Sequence, residues 1–217
     1  MMDKRWEEEL SHITQDWVIG ADDVGTGALA GPCVCCAILA PKSWTLEGLN
    51  DSKALSKKRR EEMRAIIGAA YERREIGFAI AERSNLHIDH YGITQCLSEA
   101  FSEAIGTMVA KAQTDLKTSS YLIIDGARPK GEPPANMTDV RWLPKADNFV
   151  PQVMAASILA KCYRDGRMAI WGQLHPEYRW AENSGYGTKD HKAALKKYGA
   201  TPLHRVSYEP VKSMVKW

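Results

Sequence analysis

Two adjacent carboxylates, Asp22 and Asp23, run directly into a glycine-rich turn in the stretch G-A-D-D-V-G-T-G-A-L-A-G-P from Gly20 to Pro32. Carboxylates at a strand end, beside backbone N–H groups that glycines leave open to close approach, suit metal and phosphate chemistry. Further along, Asp125 closes the apolar run Y-L-I-I-D-G, where α/β proteins place their sites, and Asp147 in K-A-D precedes a helix. Each has an ordinary alternative: a polar turn, an Asp-Gly turn and a helix cap respectively. Asn50, Ser52 and Lys53 of N-D-S-K bring amide, hydroxyl and ammonium groups together in one loop, a combination able to hold a phosphate from several sides.

The elements that must carry these residues follow from periodicity. Trp17, Val18 and Ile19 begin a buried strand, and Cys33 to Ala40 is a second. Ser56 caps a helix with Met63, Ile66 and Ile67 at helical spacing, entered through the basic cluster Lys53, Lys57, Lys58, Arg59 and Arg60, of which Lys57 to Arg60 read as surface charges. Glu75 to Glu82 is a third strand, with Ile76, Phe78 and Ile80 on one face. A long helix is predicted over roughly 85–112 from the stripe Ile93, Leu97, Phe101, Ile105 and Met108. His87, Asp89 and His90 at its start are assigned ordinary helix-end electrostatics rather than a metal. The Tyr121–Ile124 strand, a Pro- and Gly-rich loop with Pro129, Gly131, Pro133 and Pro134, and an extended segment at 140–144 follow. A helix over about 150–172 comes next, with small residues that permit close packing on a sheet. Arg164 and Asp165 on it read as a structural ion pair, and His191 as a surface residue opening a last helix to Tyr198.

At 217 residues, 44% hydrophobic and 26% charged, the chain fits one or at most two globular domains and is assigned a single one, with a short N-terminal extension over 1–16 and a basic region from about 188. Residues 187–217 carry six lysines and Arg205 against Asp190 and Glu209, which suggests an anionic partner. No signal-peptide core and no run of membrane-spanning length is found, so a soluble cytoplasmic protein without membrane association is expected. Three of five cysteines crowd into Cys33–Cys36, which suits a buried strand better than a disulfide framework or zinc.

Taken together, D-D-V-G-T-G-A-L-A-G-P, L-N-D-S-K-A-L-S, L-I-I-D-G, K-A-D before A-A-S-I-L-A-K, and G-Y-G-T-K-D-H resemble the type 2 ribonucleases H (ribonuclease HII) from about residue 17 to 208. The resemblance implies an α/β ribonuclease H-like fold, a mixed sheet flanked by helices with a helical C-terminal part. It implies hydrolysis of the RNA strand of RNA/DNA hybrids and incision at ribonucleotides embedded in duplex DNA, leaving 5′-phosphate and 3′-hydroxyl ends. Its four acidic metal ligands fall on Asp22, Asp23, Asp125 and Asp147. Such a set, without His or thiolate ligands, suits Mg²⁺ or Mn²⁺, and two ions about 3.5–4 Å apart activate water and stabilise the leaving oxygen. Tyr186 matches the tyrosine that stacks on the deoxyribose after the ribonucleotide, and Thr188 and Lys189 are assigned to phosphate or backbone contacts.

Two departures from the family pattern are visible. Asp23 stands where Glu is usual, one methylene shorter, which predicts a weaker or displaced metal. Thr26 stands where an Arg is usual, giving Gly25-Thr26-Gly27; the backbone donors that recognise the 2′-hydroxyl remain, but a cation near the phosphate is lost. The G-T-G turn resembles the type 3 enzymes, whose N-terminal domain this length is not expected to hold. Two alternatives therefore stand beside the main reading: a hybrid-only ribonuclease H, or a hybrid-binding protein with weakened catalysis. A nucleotide-binding protein using the turn alone lacks both G-x-G-x-x-G and G-x-x-x-x-G-K-[ST]. A monomer is expected. A sliding-clamp partner stays open but unsupported: the tail Met214-Val215-Lys216-Trp217 stands where type 2 relatives often carry a clamp-binding peptide, without clearly matching one.

Overall fold

The computed structural model describes residues 3–111, 120–126 and 140–214. Apolar runs at Trp17–Val24 (β1), Cys33–Pro41 (β2), Gly77–Arg83 (β3), Ser120–Asp125 (β4) and Val140–Leu143 (β5) form one sheet in the order β3-β2-β1-β4-β5. Strands β1, β2 and β3 pair antiparallel, whereas β4 and β5 join in parallel, so the sheet is mixed. Every residue of β2 from Cys33 to Ala40 is buried, because helices cover both faces of the sheet. The five cysteines are free and buried, three of them in this strand.

Alternation along each strand sorts side chains between the two faces. Ile19 and Ala21 of β1 and Leu122 and Ile124 of β4 pack with Ala100, Ala104, Ile105 and Met108 of α4 (Ile93–Lys111). The opposite face meets α2 (Lys57–Glu72) and α5 (Pro151–Leu174) through Val34, Cys36, Ile38, Met63, Ala155 and Leu159. Helix α5 crosses β1 at very short range: a Cβ built on Gly20 would lie 2.4 Å from the Gln152 carbonyl carbon. The N-terminal helix α1 (Lys4–His12), capped by Asp3, seats Trp6 against Val18, Ile123 and Val153.

The long helix expected over 85–112 is two helices. Helix α3 (Asn85–Tyr91) stops at Gly92, whose φ of 80° lies in the left-handed region, and α4 starts at Ile93. The apolar stripe belongs to α4 alone, and residue 112 lies outside the described residues. In α3, Asp89 accepts from the Val206 and Ser207 backbone N–H groups and from the Ser207 hydroxyl, while His87 pairs with Glu99. Asp89 thereby anchors the C-terminal segment.

Beyond α5 come a 3₁₀ turn at Pro176–Tyr178, α6 (Trp180–Asn183), α7 (Lys189–Tyr198) and α8 (Val211–Met214), gathered around Met168, Tyr178, Trp180 and Leu195. The loop with Pro129, Gly131, Pro133 and Pro134, and the tail residues 215–217, lie outside the described residues. No helix among the described residues is long and apolar enough to cross a membrane.

Candidate active site

The acidic residues converge because the two central strands run in parallel. Ala21 pairs with Ile124, so Asp22 and Asp125 leave the sheet side by side, and Asp125 in turn pairs with Leu143 just before the 3₁₀ turn Ala146–Asn148 that carries Asp147. Alternation puts Asp22 and Asp125 on the α5 face and Asp23 on the other. Asp22 and Asp147 are buried, and Asp23 and Asp125 partly so.

Crowded acids without enough cations resist ionisation. Burial, together with the neighbouring Asp23 and Asp125, pushes the Asp22 carboxyl up to about 8, against hydrogen bonds from Ser157 and the Asp23 N–H that favour its charge. Burial and Asp125 push Asp23 up to about 6, with Lys53 opposing. Burial and Asp147 raise Asp125, although backbone N–H groups of Ala146 and Asp147 reach it. One Asp125 oxygen, Oδ1, is buried without a hydrogen-bond partner. An oxygen-only donor set, short of positive charge and with a free buried carboxylate oxygen, fits a hard divalent cation. The carboxylates do not close into a ready cage: among the described residues no three His, Cys, Asp or Glu side chains form a metal-holding group. Asp23 leaves the strand on the α4 face, yet Asp125 and Lys53 both act on its carboxylate across the end of the sheet.

The N-D-S-K loop docks on this edge and splits its duties. Lys53 Nζ lies 2.8 Å from Asp147 Oδ2 while its stem remains largely in solvent; burial lowers its ammonium, and Asp147 and the other acids more than reverse this. Ser52 is turned inward, its hydroxyl 2.8 Å from that of Ser157, the residue that contacts Asp22. Asn50 is exposed and accepts from the Asp51 N–H. Arg60 is not a surface charge: it donates to the carbonyls of Ser52 and Leu55 and fixes the loop from beneath. Helical spacing could not show this, because both carbonyls precede the helix.

The glycine turn rests on two buried arginines that neither motif nor charge pattern disclosed. Arg164 donates to the carbonyls of Pro32, Ala30 and Ser184, and Arg205 to those of Gly31 and Thr26, with Tyr208 also donating to Thr26. Gly25 has a φ of 91°, and a Cβ there would sit 2.2 Å from Arg164 Nε. Arg164 and Asp165 do not pair with each other. Asp165 accepts from Lys161 and the Ser184 hydroxyl, because the two neighbours project from different sides of α5. The available signal was position: Arg164 lies four residues after Ala160 and four before Met168, both buried.

Tyr186 lies half-buried beyond this turn, with the Arg164 guanidinium 5.4 Å and Lys161 Nζ 6.0 Å from its ring centre. Arg164 bridges the glycine turn and the Tyr186 loop, since it holds Ala30 and Ser184 at once. Thr188 is exposed and caps α7, accepting from the His191 N–H; Lys189 is exposed beside it. His191 is fully buried rather than at the surface.

This architecture is that of the ribonucleases H. The crystal structure of ribonuclease H2 from Pyrococcus horikoshii OT3 superposes with a TM-score of 0.71 at 22% identity, covering 91% of this chain and 96% of that one. Bst-RNase HIII in complex with Mn²⁺ gives 0.70 at 18%, covering 94% and 71%. The fold alone therefore does not separate type 2 from type 3. Sequence does: the family model described as Ribonuclease HII matches residues 19–211, and Ribonuclease HII of Enterococcus faecalis (strain ATCC 700802 / V583) is 38% identical over 198 residues, 91% of this chain and 71% of the relative. Ribonuclease HII of Shouchella clausii (strain KSM-K16) is 37% identical over 207 residues, 95% of this chain and 74% of the relative. The chain belongs to the ribonuclease HII family, divalent-metal-dependent endonucleases that act on RNA/DNA hybrids.

Proposed function

We propose that this chain cleaves the RNA strand of RNA/DNA hybrids and also incises duplex DNA at single embedded ribonucleotides, leaving 5′-phosphate and 3′-hydroxyl ends. The observation that carries the reading is the common frame that Arg164 gives to the glycine turn and the Tyr186 loop, next to the acidic edge. A single ribonucleotide has one 2′-hydroxyl, so its recognition needs a sensor of that group and a reader of the following sugar at fixed separation.

In this proposal Asp22, Asp23, Asp125 and Asp147 hold Mg²⁺ or Mn²⁺. When bound, two such ions supply activation of water and stabilisation of the leaving oxygen. The protein supplies the rest. Backbone groups of Gly25, Thr26 and Gly27 meet the ribose; Gly27 needs glycine neither for its φ nor for space in the free protein, since a Cβ there meets nothing within 4 Å, but an approaching ligand would require the room. Lys53 releases Asp147 to face the scissile phosphate, and Asn50 and Lys189 hold flanking phosphates. The cation that Thr26 lacks is supplied from below: Arg205 donates to the Thr26 carbonyl with no carboxylate partner among the described residues, so its charge polarises the turn outward. Tyr186 stacks on the next deoxyribose.

Two labelled duplexes test this, one DNA with a single ribonucleotide and one continuous hybrid, each with Mg²⁺, Mn²⁺ or chelator. Metal-dependent cutting of both is expected. Cutting of the hybrid alone would establish the type 3-like alternative suggested by the G-T-G turn, and binding without cutting would defeat the assignment of the four acids.

A further inference from the structure

Beneath the Tyr186 loop two histidines, His191 on α7 and His204 in the following segment, are buried with their Nε2 atoms 3.1 Å apart. Their partners set the ring protons, with the Trp180 and His204 N–H groups sharing the one lone pair of His191 Nε2, and the Thr201 backbone N–H and hydroxyl both at His204 Nδ1. Tyr186 O, which only accepts, lies 3.0 Å from His191 Nδ1, so that nitrogen carries hydrogen. Trp180 Nε1, which only donates, points at His191 Nε2 from 3.2 Å, so that nitrogen is bare. On the other ring the Thr201 N–H donates to His204 Nδ1 at 2.9 Å, which leaves the His204 proton on Nε2, directed at His191. Both rings are consequently neutral, and burial pushes both imidazoles down, with His191 adding to the effect on His204.

We propose that His191 and His204 are positioning residues for Tyr186, forming a one-way hydrogen-bond chain from the Thr201 backbone to the Tyr186 carbonyl. This rests on the reading of Tyr186 given above. The loop needs such a hold, because Ser184 and Gly185 have left-handed φ of 48° and 79°, and Tyr186 stands between two glycines. Its carbonyl is gripped from two sides, by the Thr188 N–H at 2.8 Å and by His191. Imidazole suits the place because a rigid ring carries a donor on one edge and an acceptor on the other. The chain ends on the backbone, while the Tyr186 ring remains free to meet substrate beside Arg164.

A double-mutant cycle separates positioning from packing. His191→Phe keeps a ring among Tyr178 and Trp180 but removes the donor, and His191→Leu serves should Phe fail to fold. Either is expected to lower kcat/KM on the single-ribonucleotide duplex about tenfold, as for loss of one oriented hydrogen bond. His191→Asn, whose amide nitrogen can occupy the Nδ1 place, should recover most of it. In a Tyr186→Ala background the His191 substitution should cost nothing more; additive losses would overturn the positioning role while leaving the activity intact. Wild-type protein that cuts neither duplex would sink the functional reading and this role with it. Independently of activity, long-range ¹H–¹⁵N spectra should show His191 as the Nδ1–H tautomer and His204 as the Nε2–H tautomer, and any other pair of tautomers would refute the chain.

Discussion

Replacing Asp22 with Asn should stabilise the metal-free protein while abolishing cleavage. Burial, and then Asp23 and Asp125, push the Asp22 carboxyl up to about 8 from an ordinary 3.8. The raised value means that the folded state holds a proton that the unfolded chain releases. Stability is therefore fully present below pH 3.8 and is lost as pH rises through 8. At pH 7 about three units of that mismatch are expressed, a ceiling of ~4 kcal/mol at ~1.4 kcal/mol per unit; at pH 5 it falls to less than half. Asn matches Asp in shape and still accepts from the Asp23 N–H, so the substitution removes the electrostatic cost and little else. Relaxation around the mutated carboxyl and residual solvent screening reduce that ceiling, leaving ~2–3 kcal/mol, or roughly 5–10 °C in a domain of this size. Denaturation in chelator at pH 5 and pH 7, wild type against Asp22→Asn, measures it directly. Equal gains at both pH values, or none at pH 7, would refute the picture of an under-neutralised acidic edge. Added Mg²⁺ should narrow the gap by stabilising the wild type alone.

Asp23→Glu should raise cleavage at limiting Mg²⁺, because the longer side chain reaches round from the α4 face toward Asp22 and Asp125; metal titrations of both proteins that superpose would count against it. Gly20→Ala should destabilise the fold by ~3 kcal/mol or prevent folding, since its Cβ would lie 2.4 Å from the Gln152 backbone, which cannot move without shifting α5; urea denaturation reads this. His204 is held near 4 against an ordinary 6.5 by burial and then His191, so its contribution to stability is present above pH 6.5 and is lost as pH falls toward 4, up to ~3 kcal/mol. His204→Leu should flatten that part of the stability profile, measured by thermal melts between pH 4 and 7.

The sequence by itself determined the elements and the family. Period-2 and period-3.6 patterns are local properties of the chain, so β2, the Ser56 cap and the α4 stripe were legible, and the acidic and glycine motifs carried the resemblance. Among the elements Gly92 misled: inside a helical pattern a glycine is tolerated, and here its left-handed φ ends α3. Tertiary structure decided everything that depends on which distant groups meet in a low dielectric. Arg164 and Arg205 looked like ordinary charges, yet burial converts them into carbonyl clamps that join segments more than 100 residues apart. His191 resembled a surface residue until Trp180, His204 and Tyr186 closed around it. The acids at Asp22 and Asp125 are 103 positions apart in sequence, and it is the parallel pairing of β1 with β4 that makes them neighbours. Their mutual repulsion, and hence the appetite for a cation, exists only once the sheet has formed.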